Sequence, residues 1–347
     1  MNILHLLKDL HNFLHQFLPS PVAVFLRYRF SPVDLDRLSH CRRSANDDDI
    51  LQTFDVLTYN INSDTSDKPS RVRLILRAIF SSGASIIFLQ ETNLAWEKLL
   101  LDDAAALQYN YRYFHHPRKG DKTHHPDRPS GGISILSKYP LKDIAVLHMT
   151  KDVSGSVFPA LLCKVVLPIT FLDQPTLCIS IVNVHLRPPV NLDGSAWLDT
   201  ARKTEPIRLA EVKRIVHHTL NRKSPFDNAT IIQTYPDIIA GDFNEDNFGA
   251  ALSHLKSLGY YDALQQYVPR KKETHTWPFM RNMWTLRKRL DHILWRENDL
   301  LAGTTKDNET KSMIFQLKCL SCGVLSGYEV DASDHQPVLG RFGIVMR

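Results

Sequence analysis

The chain has 347 residues, of which 43% are hydrophobic and 23% are charged. This composition is typical of a globular protein with one large or two smaller domains, and it excludes a disordered polymer, a collagen-like fibre and a small disulfide scaffold. The formal net charge of +5 permits an anionic partner but does not require one. No run of about 18 uncharged apolar residues occurs, so no transmembrane helix is expected.

Residues 1–18 carry apolar side chains at helical spacing, among them Ile3, Leu6 and Phe17, with polar residues between them. This spacing predicts an amphipathic helix that ends at Pro19. The helix could pack on the domain or on a partner, or it could be a membrane-surface or targeting segment. Three aspartates at 47–49 mark a polar boundary, so we assign residues 1–53 to this helix and its linker, and residues 54–347 to the main domain.

From about Phe54, predicted strands and helices alternate along the chain. The continuous apolar run at 85–90 is typical of a strand buried on both faces of its sheet. The predicted strands are Phe54–Asn60, Ser85–Gln90, Gly132–Ser137, Ile144–His148, Ala160–Leu167, Leu177–Leu186, Asp237–Ala240, Asp291–Trp295 and Pro337–Phe342. The predicted helices are Arg71–Ser81, Leu94–Leu107 and Ala196–Leu220. This pattern predicts an α/β domain of two packed sheets with helices on the outside.

The five cysteines do not suggest a disulfide framework, because their number is odd and their spacing is irregular. They favour reduced thiols and an intracellular location, with nucleus, cytoplasm and mitochondrion all left open. Cys319 and Cys322 form a lone C-x-x-C within a segment that resembles a strand. Because no second ligand pair accompanies it, we expect two ordinary buried thiols here and neither a zinc site nor a redox site.

Several predicted strands begin or end in polar residues that a hydrophobic core would not select. Each of these residues alone is explained as a turn, cap or sheet residue. Together they place carboxylates, amides and two histidines at strand ends, where α/β folds build their sites. Hard oxygen ligands of this kind suit Mg²⁺ or Mn²⁺ better than zinc. The residues are Asn60, Gln90, Glu91, Asn183, His185, Asp242, Asn244, Asp291, Asp334 and His335.

The order of these polar islands resembles the endonuclease/exonuclease/phosphatase superfamily. The islands are Asn60, Leu89-Gln90-Glu91, Gly131–Lys138, Asn183-Val184-His185, Gly241-Asp242-Phe243-Asn244, Leu290-Asp291-His292 and Ser333-Asp334-His335. The resemblance covers about 54–342 and implies a four-layer α/β/β/α sandwich of two packed mixed sheets. It also implies in-line attack of a metal-assisted water on a phosphate ester.

The same resemblance implies a metal site. Glu91 is expected to be the chief Mg²⁺ ligand, with Asn60 beside it. Asp334 is expected to lie near the ion, either in direct contact or through a water molecule. Mn²⁺ is expected to substitute for Mg²⁺, and the number of ions is left open.

The resemblance further implies the catalytic groups. Asp242 is expected to orient and deprotonate the attacking water. Asn244 and His185 are expected to contact the scissile phosphate. His335 is expected to donate to a phosphoryl oxygen while Asp291 fixes the orientation of its ring. All of these positions are intact in the chain, which favours an active enzyme.

The segment 268–290 carries seven Lys or Arg residues against one Glu, a net charge of +6 that exceeds the +5 of the whole chain. Aromatic residues such as Trp277 are interleaved with these cations. This combination suits nucleic acid, which offers phosphates to pair and bases to stack, although a solvated basic loop is the alternative. Trp277 and Arg289 in this segment, and Arg187 just after His185, are candidate substrate-binding residues. For Arg187 the alternative is a surface salt bridge.

Three functions remain open at this point. The favoured one is a Mg²⁺-dependent phosphodiesterase acting on DNA or RNA ends or adducts, as in the DNA-processing and DNA-repair branches of the superfamily, which include the tyrosyl-DNA phosphodiesterases. The second is a phosphodiesterase or phosphatase acting on a lipid headgroup, like a sphingomyelinase, or on a soluble phosphate, with residues 1–18 touching a membrane. The third is a non-catalytic nucleic-acid binder, which the intact ligand set disfavours. The oligomeric state is left open.

Overall fold

The computed structural model describes residues 50–116, 131–149, 152–168, 176–189, 198–220, 235–267, 276–278, 287–301, 314–325 and 332–346. The amphipathic helix predicted at residues 1–18 lies outside these residues, and so does most of the basic segment 268–290. The division of the chain between residues 53 and 54 therefore stays a prediction.

Strands make up the largest share of the described part of the chain. They are β1 (Ile50–Asn60), β2 (Ile86–Thr92), β3 (Tyr111–His115), β4 (Gly132–Ser137), β5 (Leu141–Leu147), β6 (Ala160–Pro168), β7 (Thr176–His185), β8 (Ile238–Asp242), β9 (Tyr260–Asp262), β10 (Trp277–Pro278), β11 (Arg287–Lys288), β12 (Asp291–Arg296), β13 (Asp299–Leu301), β14 (Ile314–Val324) and β15 (Val338–Met346). The helices are α1 (Pro69–Ser81), α2 (Leu94–Asp102), α3 (Leu198–Leu220), α4 (Ala250–Ser257) and α5 (Ala263–Tyr267).

These strands form two large mixed sheets and one small ribbon. The first sheet has the order β13-β14-β15-β1-β2-β4-β3, and the second has the order β5-β6-β7-β8-β12-β9. β10 and β11 pair with each other. Each large sheet contains one parallel pair, β1 with β2 and β7 with β8, and the other pairings among the described strands are antiparallel. The prediction of two packed mixed sheets is confirmed.

The hydrophobic core occupies the space between the two large sheets. Phe54, Phe88 and Ile135 from the first sheet share one buried cluster with Ile179 and Ile293 from the second. Side chains on alternate positions of each strand point to this layer, because successive residues of a strand face opposite sides of the sheet. The central core therefore fixes how the strand ends of the two sheets meet.

The helices cover the two outer faces. Ile75 of α1 and Trp96 of α2 pack with Leu57 against the first sheet. Val212 of α3 and Leu252 of α4 pack against the second sheet. α1 begins with Pro69 at its first turn, where the missing N–H is not needed. The layers run helix, sheet, sheet, helix, as expected of an α/β/β/α sandwich.

The predicted helix Leu94–Leu107 is wrong in its second half. α2 ends at Asp102, and a separate 3-10 turn follows at Ala104–Gln108. Asp103 has extended backbone angles, and its side-chain Oδ1 accepts a hydrogen bond from the Ala105 N–H at 2.8 Å. A short polar side chain that caps the next turn competes with helix continuation, which explains the break.

The cysteines of the described residues are free. Cys163, Cys319 and Cys322 are buried, and Cys178 is exposed. Cys319 and Cys322 lie on β14, and burial raises the pKa of both thiols, so they are unreactive core residues. Among the helices that the structure describes, none combines the length and the apolar character needed to cross a membrane.

Candidate active site

The two parallel strand pairs bring the predicted site residues to one edge of the sandwich. In the first sheet, Asn60 at the end of β1 is in register with Gln90 of β2. In the second, His185 at the end of β7 is in register with Asp242 at the end of β8, and Asp291 opens β12 opposite Asp242. Because parallel strands end at the same edge, these side chains converge.

Asp242 lies at the centre of these converging side chains and is only 1% exposed. Its Oδ1 accepts the backbone N–H of Asn244 at 2.8 Å, and its Oδ2 accepts an amide proton of Asn60 at 3.0 Å. The Nε2 atoms of His185 and His335 lie 3.5 and 3.7 Å from the same Oδ2. Burial raises the pKa of Asp242, against the lowering influence of the His335 charge. A carboxylate with a raised pKa is suited to accept a proton.

Asn60 links this carboxylate to a second one. Its Nδ2 donates to Oε1 of Glu91 at 3.0 Å as well as to Asp242. Its Oδ1 accepts the backbone N–H of Asn62 at 3.1 Å. In this structure the amide therefore points its nitrogen at the two carboxylates, and its oxygen, which keeps a second lone pair, faces the backbone.

Glu91 and Asp334 form the more open side of the site. Glu91 is half-buried and Asp334 is exposed. Glu91 Oε2 accepts the Ser63 N–H at 3.2 Å, and Asp334 Oδ1 accepts a proton from Nδ2 of Asn62 at 2.9 Å. The pKa of Glu91 is raised by desolvation, to which the charge of Asp334 adds, although the Asn60 bond opposes both. A carboxylate whose pKa is raised by burial and by a neighbouring carboxylate is stabilised in its charged form by a nearby cation.

His335 is held in place by Asp291. Its Nδ1 lies 2.8 Å from Asp291 Oδ2, and its backbone N–H donates to Ser333 Oγ at 3.2 Å. The Oγ1 of Thr276 accepts the Asp291 N–H at 3.0 Å and so fixes the start of β12. Desolvation opposes a charged ring, but Asp291 and Asp242 together hold the pKa of His335 well above its ordinary value. His335 is therefore a cationic donor.

His185 has the opposite character. The ring of Phe158 stacks on it with centroids 4.0 Å apart and planes 7° from parallel. Its buried Nδ1 has no hydrogen-bond partner among the residues that the structure describes. Burial lowers the pKa of His185 to about 4, although the charge of Asp242 opposes this. The two histidines beside Asp242 are thus one neutral and one charged ring.

Backbone geometry at the strand ends is unusual and specific. Glu91 has φ 59° and lies at a bulge between β2 and β4, while Asn244 has φ 50°. These angles place both side chains off the regular strand path. Gly241 has φ 148°, and a Cβ on it would lie 1.9 Å from the Val184 carbonyl oxygen. A Cβ on Gly131 would lie 2.5 Å from Glu91 Cα, so glycine is required at both positions.

The two arginines predicted to bind substrate are buried. Arg187 is 3% exposed and its charge acts on the carboxylate of Glu211. Arg289 is 8% exposed and its charge acts on the buried pair Asp262 and His292. Both cations are therefore buried near acidic side chains of the protein. Their predicted substrate-binding role stays a prediction without support from this placement.

Trp277 and Asn244, also predicted to contact the substrate, lie at the site. Trp277 is half-buried, and its indole N–H forms a hydrogen bond with Asp334. Desolvation is the largest single influence on the pKa of Asp334 and raises it. The His335 charge and the hydrogen bonds of Asn62 and Trp277 together outweigh desolvation, so the pKa of Asp334 is lowered. Asn244 donates from Nδ2 to the Leu186 carbonyl at 3.0 Å. Trp277 therefore stays a candidate for contact with the substrate.

Two groups of residues could hold a metal ion. One ligand atom from each of Asp242, Asp291 and His335 lies within 4.8 Å of the others, the one such cluster found among the described residues. An ion there would compete with the 2.8 Å pair between His335 and Asp291. Glu91 and Asp334 offer carboxylate oxygens on the open side, and the charge of Asp334 adds to the raised pKa of Glu91, which a cation would offset. Their chemistry fits a hard divalent ion.

Some residues of the site carried little signal in the sequence. Asn62, which connects Asn60 to Asp334, follows a strand end and has no distinctive motif. Phe158 lies in a loop with ordinary composition. Glu211 and Arg208 lie on the polar side of α3, where Arg and Lys predict only solvation. These residues reach the site through contacts between distant parts of the chain, and the spacing of residues along the sequence does not predict such contacts.

Comparison with known sequences identifies the family. Residues 57–335 match the Endonuclease/Exonuclease/phosphatase family, which is most of the chain. A search of curated proteins finds no match. The matched range includes all the predicted site residues from Asn60 to His335.

Solved structures share the fold. D. rerio TDP2 complexed with single strand DNA product is 15% identical, with a TM-score of 0.52 over 84% of this chain and 99% of that one. The human Nocturnin catalytic domain with bound sulfate anion is 16% identical, with a TM-score of 0.50 over 84% and 95%. An endonuclease/exonuclease/phosphatase family protein from Leptotrichia buccalis is 16% identical, with a TM-score of 0.51 over 83% and 99%. At these identities the likeness shows the fold alone.

Proposed function

The chain belongs to the endonuclease/exonuclease/phosphatase family, and we propose that it is a Mg²⁺-dependent phosphodiesterase that hydrolyses phosphate esters in nucleic acid. Members of this family are generally hydrolases of phosphate esters that depend on a divalent metal. Beyond these family properties, we propose that the metal is Mg²⁺, that the bond cleaved is a phosphodiester, and that the substrate is nucleic acid. DNA or RNA ends and adducts are the substrates that we favour.

The observation that carries the proposal is the arrangement around Asp242. A buried carboxylate lies between a neutral His185 and a cationic His335, with the Asn244 loop bonded to its other oxygen. An acceptor for a proton and a donor for an anion thus lie side by side. Hydrolysis of a phosphate ester needs both groups in one place.

Glu91 and Asp334 would hold the metal ion, with Asn60 beside them. Bound there, a divalent cation supplies positive charge that neutralises the phosphate and lowers the pKa of a water molecule. Asn60 and Asn62 hold the two carboxylates through hydrogen bonds of 3.0 and 2.9 Å. These amides keep the ligands in place without adding negative charge of their own.

Each residue of the site then has its own role in the hydrolysis. Asp242 accepts a proton from the attacking water as the new bond between water oxygen and phosphorus forms. The bond between phosphorus and the leaving ester oxygen breaks on the opposite side, and the leaving oxygen gains a proton from solvent. His335 donates a hydrogen bond to a phosphoryl oxygen, held in orientation by Asp291. Asn244 and His185 contact the same phosphate group.

Two observations support nucleic acid as the substrate. One solved neighbour of the same fold, D. rerio TDP2, carries a single strand DNA product. In this chain Trp277 lies beside Asp334 at the open side, within the segment of net charge +6. An aromatic ring next to the metal ligands and flanked by cations suits a base that stacks while its phosphate binds.

A panel of substrates tests the proposal. The full chain is incubated with Mg²⁺ and 5′-tyrosyl DNA, abasic DNA, single-stranded DNA, RNA, sphingomyelin or inositol phosphates. We expect turnover of at least one nucleic acid that EDTA abolishes and that Mg²⁺ or Mn²⁺ restores. Turnover of sphingomyelin or an inositol phosphate alone would replace the nucleic-acid proposal with the lipid or soluble-phosphate alternative.

A further inference from the structure

Glu211 is a fully buried carboxylate on α3, with 0% exposure, that no step of the reaction uses. Its Oε1 accepts a hydrogen bond from Ser156 Oγ at 2.5 Å. Its Oε2 accepts the backbone N–H of Arg187 at 2.9 Å. Because the two oxygens bind two different loops, one side chain ties these loops to the same helix.

Both loops contact His185. Ser156 lies two residues before Phe158, whose ring covers one face of the His185 imidazole at 4.0 Å. Arg187 lies two residues after His185 on the other loop. The carboxylate of Glu211 therefore fixes both the strand end that carries the histidine and the ring that stacks on it.

Arg208, one turn earlier on the same face of α3, binds the third loop. Its Nη1 donates to the Arg187 carbonyl at 3.1 Å, and its Nε donates to Glu245 Oε2 at 3.2 Å. Glu245 follows Asn244, whose amide donates to the Leu186 carbonyl at 3.0 Å. The loops after β7 and β8 are thus joined to each other and to α3.

Burying the charged groups of this network has an unfavourable desolvation free energy. Burial raises the pKa of Glu211 to about 7, which shows how strongly the site disfavours the charged carboxylate. Well-packed apolar residues often replace buried ionic groups without loss of stability, so stability alone does not explain this arrangement. What polar groups supply, and apolar ones do not, is a fixed direction for each loop.

We propose that Arg208 and Glu211, which we call the α3 clamp, are positioning residues that set the orientation of His185 and Asn244 at the scissile phosphate. This inference rests on the proposed function of the site. A displacement of reacting groups by about 1 Å can lower a rate by about a hundredfold, so the clamp is expected to act on turnover more than on substrate binding.

The test compares variants at Glu211 in the full chain. Glu211→Leu removes both hydrogen bonds, whereas Glu211→Gln keeps an acceptor for the Arg187 N–H and a donor for the Ser156 hydroxyl. Asp237→Asn is the matched control. Asp237 is also a buried carboxylate with a raised pKa, and it accepts the Ser180 N–H at 2.7 Å, but in the middle of β7 and away from its His185 end.

The first measurement is the NMR signal of the His185 ring, which the stacked Phe158 shifts upfield. We expect Glu211→Leu and the reference variant Phe158→Leu to lose this shift, and Glu211→Gln and Asp237→Asn to keep it. The second measurement is Mg²⁺-dependent hydrolysis of the nucleic acid of the panel that the wild type turns over fastest. We expect kcat to fall at least tenfold in Glu211→Leu with a smaller change in KM, and to stay within threefold in Glu211→Gln.

These readouts separate the clamp from the proposed function. If the wild-type protein hydrolyses none of the nucleic acids of the panel, the proposed function fails, while the His185 signal still tests the clamp. A Glu211→Leu protein that keeps the upfield His185 signal overturns the inference. If Glu211→Leu does not fold, Ser156→Ala replaces it, since this variant removes one bond only, and retention of the signal in Ser156→Ala is then the contradicting result.

Discussion

The imidazole Nδ1 of His335 lies 2.8 Å from Oδ2 of Asp291, although the two residues are 44 positions apart in the chain. A carboxylate at this distance requires a proton on Nδ1 and stabilises the charged ring. It also directs Nε2 toward Asp242, 3.7 Å away. The pair therefore determines both the charge and the direction of the group proposed to donate to the phosphate.

Asp291→Asn should lower kcat by about a hundredfold or more, because the amide cannot stabilise the imidazolium or enforce the same tautomer. Initial rates at saturating Mg²⁺ measure this. Asp55→Asn is the control, since its carboxylate pairs with Arg341 on the surface at 2.9 Å. Equal rates for Asp291→Asn and the wild type would exclude His335 as a charged donor.

Glu91→Gln should weaken Mn²⁺ binding at least tenfold, because a neutral amide replaces the carboxylate on the open side of the site. Mn²⁺ titration followed by electron paramagnetic resonance measures the affinity without substrate. Glu97→Gln is the matched control, since Glu97 pairs with His116 at 3.2 Å and is not a proposed ligand. Unchanged affinity in Glu91→Gln would place the metal elsewhere.

Asn60→Asp should destabilise the metal-free protein by about 1–3 kcal/mol, because it replaces a donor to Glu91 and Asp242 with a third carboxylate. Mg²⁺ should recover more stability in this variant than in the wild type, since a cation relieves the added repulsion. Urea unfolding with and without Mg²⁺ measures both effects. Equal unfolding curves for the two proteins without Mg²⁺ would show that Asn60 does not link the carboxylates.

The buried pair Asp262 and His292 predicts how stability depends on pH. His292 Nδ1 lies 2.9 Å from Asp262 Oδ2, and its Nε2 faces the carbonyl oxygens of Glu245 and Arg289. Since carbonyls only accept, both ring nitrogens carry protons. Desolvation opposes this charge, but Asp262 outweighs it and raises the pKa of His292, while His292 lowers the pKa of Asp262 against the same desolvation.

These two pKa shifts determine whether stability rises or falls with pH. The raised pKa of His292 adds stability below pH of about 6.5, and this is lost as pH rises through the folded value. The lowered pKa of Asp262 adds stability above pH of about 4, which is lost as pH falls. The wild type should therefore exceed Asp262→Asn by about 3 kcal/mol near pH 5.5 and by less near pH 9. A constant difference in urea unfolding across this range would contradict the pairing.

The fold and the convergence of strand ends were largely predictable from the sequence. The predicted strand Gly132–Ser137 has the same bounds as β4. Once β1, β2, β7 and β8 are placed in parallel pairs, Asn60, His185 and Asp242 must meet at one edge. Periodicity and strand-end chemistry contain this information.

The contacts of the arginines were not predictable in the same way. The sequence predicts that Arg187 and Arg289 bind substrate because Arg187 follows His185 closely and Arg289 is the last cation of the basic segment, just before Asp291. Their burial depends on Glu211 and on the Asp262 pair, which distant segments of the chain supply. Local spacing carries no information about such partners. The break at Asp103 likewise depends on a side-chain cap that competes with a helical pattern.

Asp242 is the group proposed to take the proton in a metal-dependent hydrolysis, and the variant Asp242→Asn tests this role. The variant keeps the size of the side chain but loses its basicity. With the best substrate of the panel at saturating Mg²⁺, we expect kcat to fall by about a thousandfold or more, with the circular dichroism spectrum unchanged. Full activity of Asp242→Asn under these conditions would contradict the role of Asp242 as proton acceptor. Wild-type activity that resists EDTA would contradict the metal dependence.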